Sequence, residues 1–126
     1  NSHLQMPPSP PNIVLLATDL MLCSTVSGFA ATAGATFKAA STATEAADHV
    51  ADNENALLLV DLGCAGLDVG SLAAAIPEQV LRNAVAYGPH VHVEKLQAAT
   101  DAGFGQVMSR GQFSAQIGRL ISAGVQ

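Results

Sequence analysis

The stretch Ala56-Leu57-Leu58-Leu59-Val60-Asp61-Leu62-Gly63 decides the fold. An unbroken apolar run meets one carboxylate and then a loop containing glycine. So short a run without polar alternation suits a strand covered on both faces, as in the middle of a parallel sheet. An aspartate closing such a strand lies on the carboxyl edge of the sheet, where open α/β folds place their sites.

Working outward, Ile13-Val14-Leu15-Leu16 reads as a second buried strand, after which Thr18 or Asp19 offers an N-cap. In the helix that follows, Leu22, Val26, Phe29, Ala30 and Ala33 form an amphipathic stripe, and Gly34 stops it. Residues Ala35 to Ala40 make a weaker strand, because only Thr36 and Phe37 favour β structure. Ser41-Thr42-Ala43-Thr44 opens a helix with Ala46, Ala47, Val50 and Ala51 inward. A hydroxyl residue followed by Glu45 there resembles a capping box, with the capping hydroxyl left open. Asp52-Asn53-Glu54-Asn55 is the polar turn into the central strand.

Beyond Asp61, a loop with two glycines leads to a helix carrying Val69, Leu72, Ala73 and Ile76 on one side. Pro77 breaks it, so residues Pro77 to Leu81 are either a short second turn or a loop. Ala84-Val85-Ala86-Tyr87 is the fourth strand, stopped by Gly88-Pro89. A helix from near His92 to Ala102 buries Val93, Leu96 and Ala99, and Gly103 ends it. Gln106-Val107-Met108-Ser109 is the fifth strand. Gly111 breaks the chain before a last helix with Phe113, Ile117, Leu120 and Ile121 inward. Five strands alternating with five helices predict right-handed crossovers and a parallel sheet with helices on both faces. The expected fold is a three-layer α/β/α, doubly wound, flavodoxin-like domain with strand order 2-1-3-4-5. It spans residues 12–126 as one unit. Asn1 to Gln5 reads as a tag remnant, and Met6 to Pro11 as a proline-rich, extended lead-in.

Composition narrows the function. The chain has 126 residues, 49% of them hydrophobic, with a net charge of −5. That is enough for one core. Lys38, Arg82, Lys95, Arg110 and Arg119 are the only fixed cations, and Trp is absent, which argues against nucleic acid. No apolar run reaches membrane-spanning length and no basic-then-apolar leader is present. Two cysteines, Cys23 and Cys64, without CxxC spacing suit a reduced, cytoplasmic setting. Cys23 reads as packing, whereas Cys64 lies in a loop near Asp61 and could be exposed.

In this topology the carboxyl edge gathers Ala17, Thr18 and Asp19; Asp61; Gly88, Pro89, His90 and His92; and Ser109, Arg110 and Gly111. The order of elements and the Leu-Leu-Leu-Val-Asp-Leu strand resemble the receiver domain of bacterial two-component response regulators, from about Ile13 to Ala123. The resemblance implies a signalling module of a phosphorelay, with Asp61 at the phosphoacceptor position. It also implies an acidic, Mg²⁺-binding pair where this chain has Ala17 and Thr18. A hydroxyl residue is implied at Gly88, and Lys-Pro at Arg110-Gly111. Asp19 stands one step past the acidic pair, in the first turn of the helix.

Each departure has a consequence. Mg²⁺ takes oxygen ligands in near-octahedral array, normally including carboxylates. Phosphoryl transfer to a carboxylate depends on that charge neutralisation. Gly88 has no hydroxyl to bond a phosphoryl oxygen, and the planar fork of Arg110 is not a lysine point charge. The expectation is a degenerate, non-enzymatic pseudo-receiver without Mg²⁺, acting through contacts with other signalling proteins, in which Asp61 and Arg110 pair. If a metal were held at all, Asp19 and Asp61 would be its donors. The alternative is an atypical response regulator phosphorylated on Asp61. Receivers commonly associate through the fourth helix, fifth strand and fifth helix, which implies a homodimer face over His92 to Ala123.

A third reading is sensing of a small anion or metal at Asp61, His90 and Arg110. A Pro89-stiffened loop presenting His90 and His92 could bind a transition metal or act as a pH switch. The plainer reading makes His90 a loop residue bonded to backbone and His92 an N-cap. It is favoured because no Cys/His cluster has metal-site spacing. Arg110 with the following helix start could receive an anion, or simply balance Asp61. Neither GxGxxG nor GxxxxGK[ST] occurs, so no nucleotide site is expected.

Overall fold

The computed structural model describes residues 12–51 and 55–124. The tag remnant and lead-in at residues 1–11, and Asp52, Asn53 and Glu54 of the polar turn, lie outside the described residues. In chain order the elements are β1 (Asn12–Leu16), α1 (Leu20–Thr32), β2 (Thr36–Ala40), α2 (Ala43–Val50) and β3 (Leu57–Asp61). They continue with α3 (Val69–Ala75), α4 (Glu78–Asn83), β4 (Val85–Gly88), α5 (Val93–Ala102), β5 (Gln106–Ser109) and α6 (Arg110–Gly124).

All strand pairings are parallel, in the order β2-β1-β3-β4-β5. The central strands carry continuous apolar sequence because both of their faces are covered. Side-chain alternation splits them between two cores. Val14, Leu16, Leu58, Val60 and Ala86 point to the layer of α2, α3, α4 and α5. Ile13, Leu15, Leu57, Leu59, Val85 and Tyr87 point to α1 and α6, which bring Leu22, Val26, Ala30, Phe113, Ile117 and Ile121. The edge strand β2 is mostly exposed and carries Lys38, a charge that discourages pairing with another chain.

Several boundaries differ from expectation. Thr42 caps α2 by accepting from the Glu45 amide, while Glu45 Oε1 accepts from the Ser41 amide and hydroxyl. Ala51 is exposed rather than inward. Phe29 is partly exposed, its ring lying where a Cβ on Gly118 would come within 2.9 Å. Pro77 does not merely end α3: it is the N-cap of α4, so the β3–β4 crossover holds two helices and the described residues form six.

Gly88 is the last residue of β4 rather than its stop. Nor does Gly111 break the chain, since it lies in the first turn of α6. That helix starts directly from β5 through a reciprocal cap. Ser109 Oγ accepts from the Gln112 amide at 3.1 Å, and Gln112 Oε1 accepts from the Ser109 amide at 2.9 Å. Gly103 ends α5 in the left-handed region, as its sequence position predicts.

Candidate functional site

Register sets the site. Leu16 lies opposite Val60, which puts Ala17 next to Asp61; Asp61 lies opposite Tyr87, and Tyr87 opposite Met108. Adjacent positions of this kind in a parallel sheet share a face, here the face of α1 and α6. The outermost row is therefore a methyl group, a carboxylate, a phenol and a thioether.

Asp61 is 7% exposed. The Gly63 amide donates to its Oδ1 at 2.8 Å, tying the carboxylate back to its own loop. The same loop is fixed by the Leu62 amide donating to the Tyr87 carbonyl at 2.8 Å.

Asp19 faces a different task. Its Oδ1 accepts from the amides of Met21 at 3.0 Å and Leu22 at 3.2 Å, capping α1. Its Oδ2 lies 2.6 Å from Arg110 Nη2. The Leu22 amide first, and then the Arg110 guanidinium, hold the Asp19 carboxyl below the usual carboxylate range. The expected pairing of Arg110 with Asp61 is thus corrected: Arg110 bridges to Asp19 instead. The cap orients Asp19 outward, where a long guanidinium at the start of α6 can reach it, while Asp61 is drawn inward by Gly63. Thr18 is exposed and its neighbour Ala17 buried.

The β4–α5 loop brings Gly88, Pro89 and His90 to the same edge, Gly88 directly after the Tyr87 that lies opposite Asp61. Among the described residues no group of three His, Cys, Asp or Glu side chains is placed to hold a metal ion. His92 is the N-cap of α5, yet its side chain makes no capping hydrogen bond. His90 is exposed and helps line a cleft of about 360 Å³ whose other walls mix apolar side chains (Val93, Leu96, Val107, Met108) with polar ones from α5, β5 and α6.

Cys64 is buried rather than exposed, its Sγ 3.9 Å from the Leu16 carbonyl. Burial raises the pKa of both Cys64 and Cys23, which makes them poor nucleophiles at neutral pH.

Sequence reasoning passed over Tyr87. The side chain is fully buried and stacks on Phe113, with ring centroids 3.9 Å apart and planes 5° from parallel. Its hydroxyl is the only buried side-chain polar atom among the described residues without a hydrogen-bond partner. Burial, and then the charge of Asp61, raise its pKa, while Arg110 opposes the shift. The lone tyrosine of the chain in the strand next to the aspartate was the available signal.

No protein-family model matches this sequence, and no curated protein matches it. Solved structures do. A response regulator receiver domain protein from Clostridium thermocellum superposes with a TM-score of 0.70 at 13% identity, covering 91% of this chain and 94% of the other. The receiver domain of NtrX from Brucella abortus gives 0.69 at 17% identity, over 90% of this chain and 97% of that one. A receiver domain from Rhodospirillum rubrum gives 0.65 at 18%, over 89% and 92%. The fold of this chain is therefore the receiver fold. No helix among the described residues is long and apolar enough to cross a membrane.

Proposed function

We propose that this chain is a signalling module on a receiver scaffold that works by contact with other proteins in the cytoplasm, without phosphoryl chemistry of its own. One observation carries the reading: the only acid beside the Asp61 position on the β1 side is already spent. Both oxygens of Asp19 are engaged, one on the α1 cap and one on Arg110, while Ala17 offers no donor atom. Arg110, the cation that would meet a phosphoryl group, is held by the same bond. Phosphorylating Asp61 would bring two anionic groups together with little to neutralise them.

Incubation with a small-molecule phosphodonor and Mg²⁺, followed by intact mass measurement, tests this. The expected result is an unchanged mass. Addition of one phosphoryl group, abolished by Asp61→Asn, would establish the atypical response regulator instead.

The partner reading includes a second copy of this chain through α5, β5 and α6. A solved neighbour, the beryllofluoride-activated NtrC4 receiver domain, is described as a dimer. The matching surface here carries the cleft described above, lined by both polar and apolar side chains, beside an edge strand, Gln106-Val107-Met108-Ser109, with no charged residue.

A further inference from the structure

The free edge of β5 is closed at both ends and open at one residue. The Gln106 amide donates to the Ala84 carbonyl at 3.0 Å, which turns the backbone groups of Gln106 and Met108 toward β4. Those groups alternate sides along a strand, so Gly105, Val107 and Ser109 direct theirs away from the sheet. The Gly105 amide is taken by the Leu81 carbonyl at 3.1 Å, and the Ser109 amide by Gln112 Oε1 at 2.9 Å. Between these closures Val107 presents an amide and a carbonyl with no partner among the described residues. Val107 is half-buried and lines the cleft bounded by α5, β5 and α6.

An edge with one open residue restricts what can pair with it. In an antiparallel ladder a single residue exchanges both of its bonds with the residue opposite, whereas a parallel ladder calls on two successive open residues. When the incoming strand is β5 of a second copy, only the antiparallel arrangement satisfies both sides. Val107 then meets Val107 on a two-fold axis normal to the sheet, and each supplies the donor and the acceptor that the other lacks.

Charge favours the same occupant. Each copy carries a net charge of −5, so two copies repel unless the surfaces that meet are neutral. No Lys, Arg, Asp or Glu lines the cleft or stands in β5. A two-fold pairing of β2, the opposite edge, would bring two Lys38 side chains to one seam.

We propose that two copies of this chain associate by antiparallel pairing of their β5 strands centred on Val107, joining two five-stranded sheets into one. The proposal rests on the homodimer reading given above and deepens it by naming the contact, and its test separates the two.

Amide hydrogen exchange followed by NMR in micromolar and millimolar samples, beside light scattering on the same samples, reads the pairing. In the dilute sample the Val107 amide is expected to exchange fast, while those of Gln106 and Met108, bonded to β4, exchange slowly. In the concentrated sample Val107 is expected to slow by about tenfold or more as the molar mass doubles. A doubled mass with Val107 exchanging as fast as in the dilute sample would overturn the strand pairing and leave a dimer held by its helices. A monomeric mass at millimolar concentration would overturn both.

Val107→Pro removes the outward N–H without removing a bond to β4, a change that edge strands tolerate. It is expected to stay monomeric where the wild-type chain dimerises. Val107→Thr, which keeps the amide and the branched shape, is expected to associate as the wild type does. Association of a folded Val107→Pro at wild-type concentrations would overturn the pairing. Should that variant not fold, the exchange of the wild-type Val107 amide decides.

Discussion

Asp19 divides its two oxygens between local and long-range work. One caps the helix that begins beside it, and the other reaches a cation 91 positions away in sequence. Because its folded pKa lies below the ordinary value, its charge stabilises the fold at any pH above the unfolded carboxylate range. That contribution is lost as pH falls through the lowered folded value. Asp19→Ala is therefore expected to melt at lower temperature than wild type at pH 7, with the difference shrinking below about pH 4. Asp19→Asn, which keeps a capping acceptor but not the charge, is expected to fall between the two. Melting curves across pH check this, and a difference independent of pH would mean that the charge plays no part. The Asp19–Arg110 pair was not legible in the sequence, because Arg110 could be assigned to whichever carboxylate the edge brought nearest. The choice depends on side-chain direction: the cap turns Asp19 outward, and the Gly63 amide turns Asp61 inward. Tyr87 escaped notice for a related reason. In a buried strand a tyrosine reads as one more large apolar side chain, and only coordinates reveal that its hydroxyl has no partner.

At the scale of elements, the strands were the most legible. β1 and β3 are buried along their whole length, so uninterrupted apolar runs mark them without ambiguity. Helix starts were harder. The Ser109-Arg110-Gly111-Gln112 segment is a capping box with glutamine at the third helical position, yet its glycine reads first as a breaker. Glycine weakens a helix interior but is readily carried in a first turn held by a reciprocal cap. Glycines here also differ sharply in what surrounds them. A Cβ on Gly105, in the turn from α5 to β5, would lie 1.9 Å from the Arg82 carbonyl oxygen at the end of α4. The Gly105 amide also donates to the Leu81 carbonyl at 3.1 Å, so the turn cannot move away without losing that bond. Gly105→Ala is expected to cost about 3 kcal/mol or more, since the obstacle is backbone rather than a flexible side chain. Gly28, inside α1, has nothing within 4 Å of its missing Cβ. Gly28→Ala is expected to be neutral or to gain up to about 1 kcal/mol from helix propensity alone. Urea unfolding of both variants checks the contrast, and equal effects would refute the account of the contact between α4 and the α5–β5 turn.

Over the whole molecule, the two edges of the sheet are treated differently. β2 carries Lys38, whereas β5 carries no charge, is half-buried along most of its length and borders the cleft between α5 and α6. Val93, one of the residues lining that cleft, is 66% exposed, against the inward position its helical spacing predicts. If α5, β5 and α6 meet a second copy, the partner covers the cleft and Val93 loses its contact with water. A charge at Val93 would then oppose association without disturbing the core, because the side chain contributes little to folding while it stands in solvent. Light scattering over a concentration series is expected to show a rising molar mass for the wild-type chain. Val93→Glu is expected to shift that rise to at least tenfold higher concentration, the equivalent of about 1.4 kcal/mol or more of binding energy, with Tm unchanged at low concentration. A wild-type chain that scatters as a monomer at millimolar concentration removes the homodimer. The exposed apolar positions would then have to be met by a different protein, and the uncharged β5 edge would remain the place to seek it.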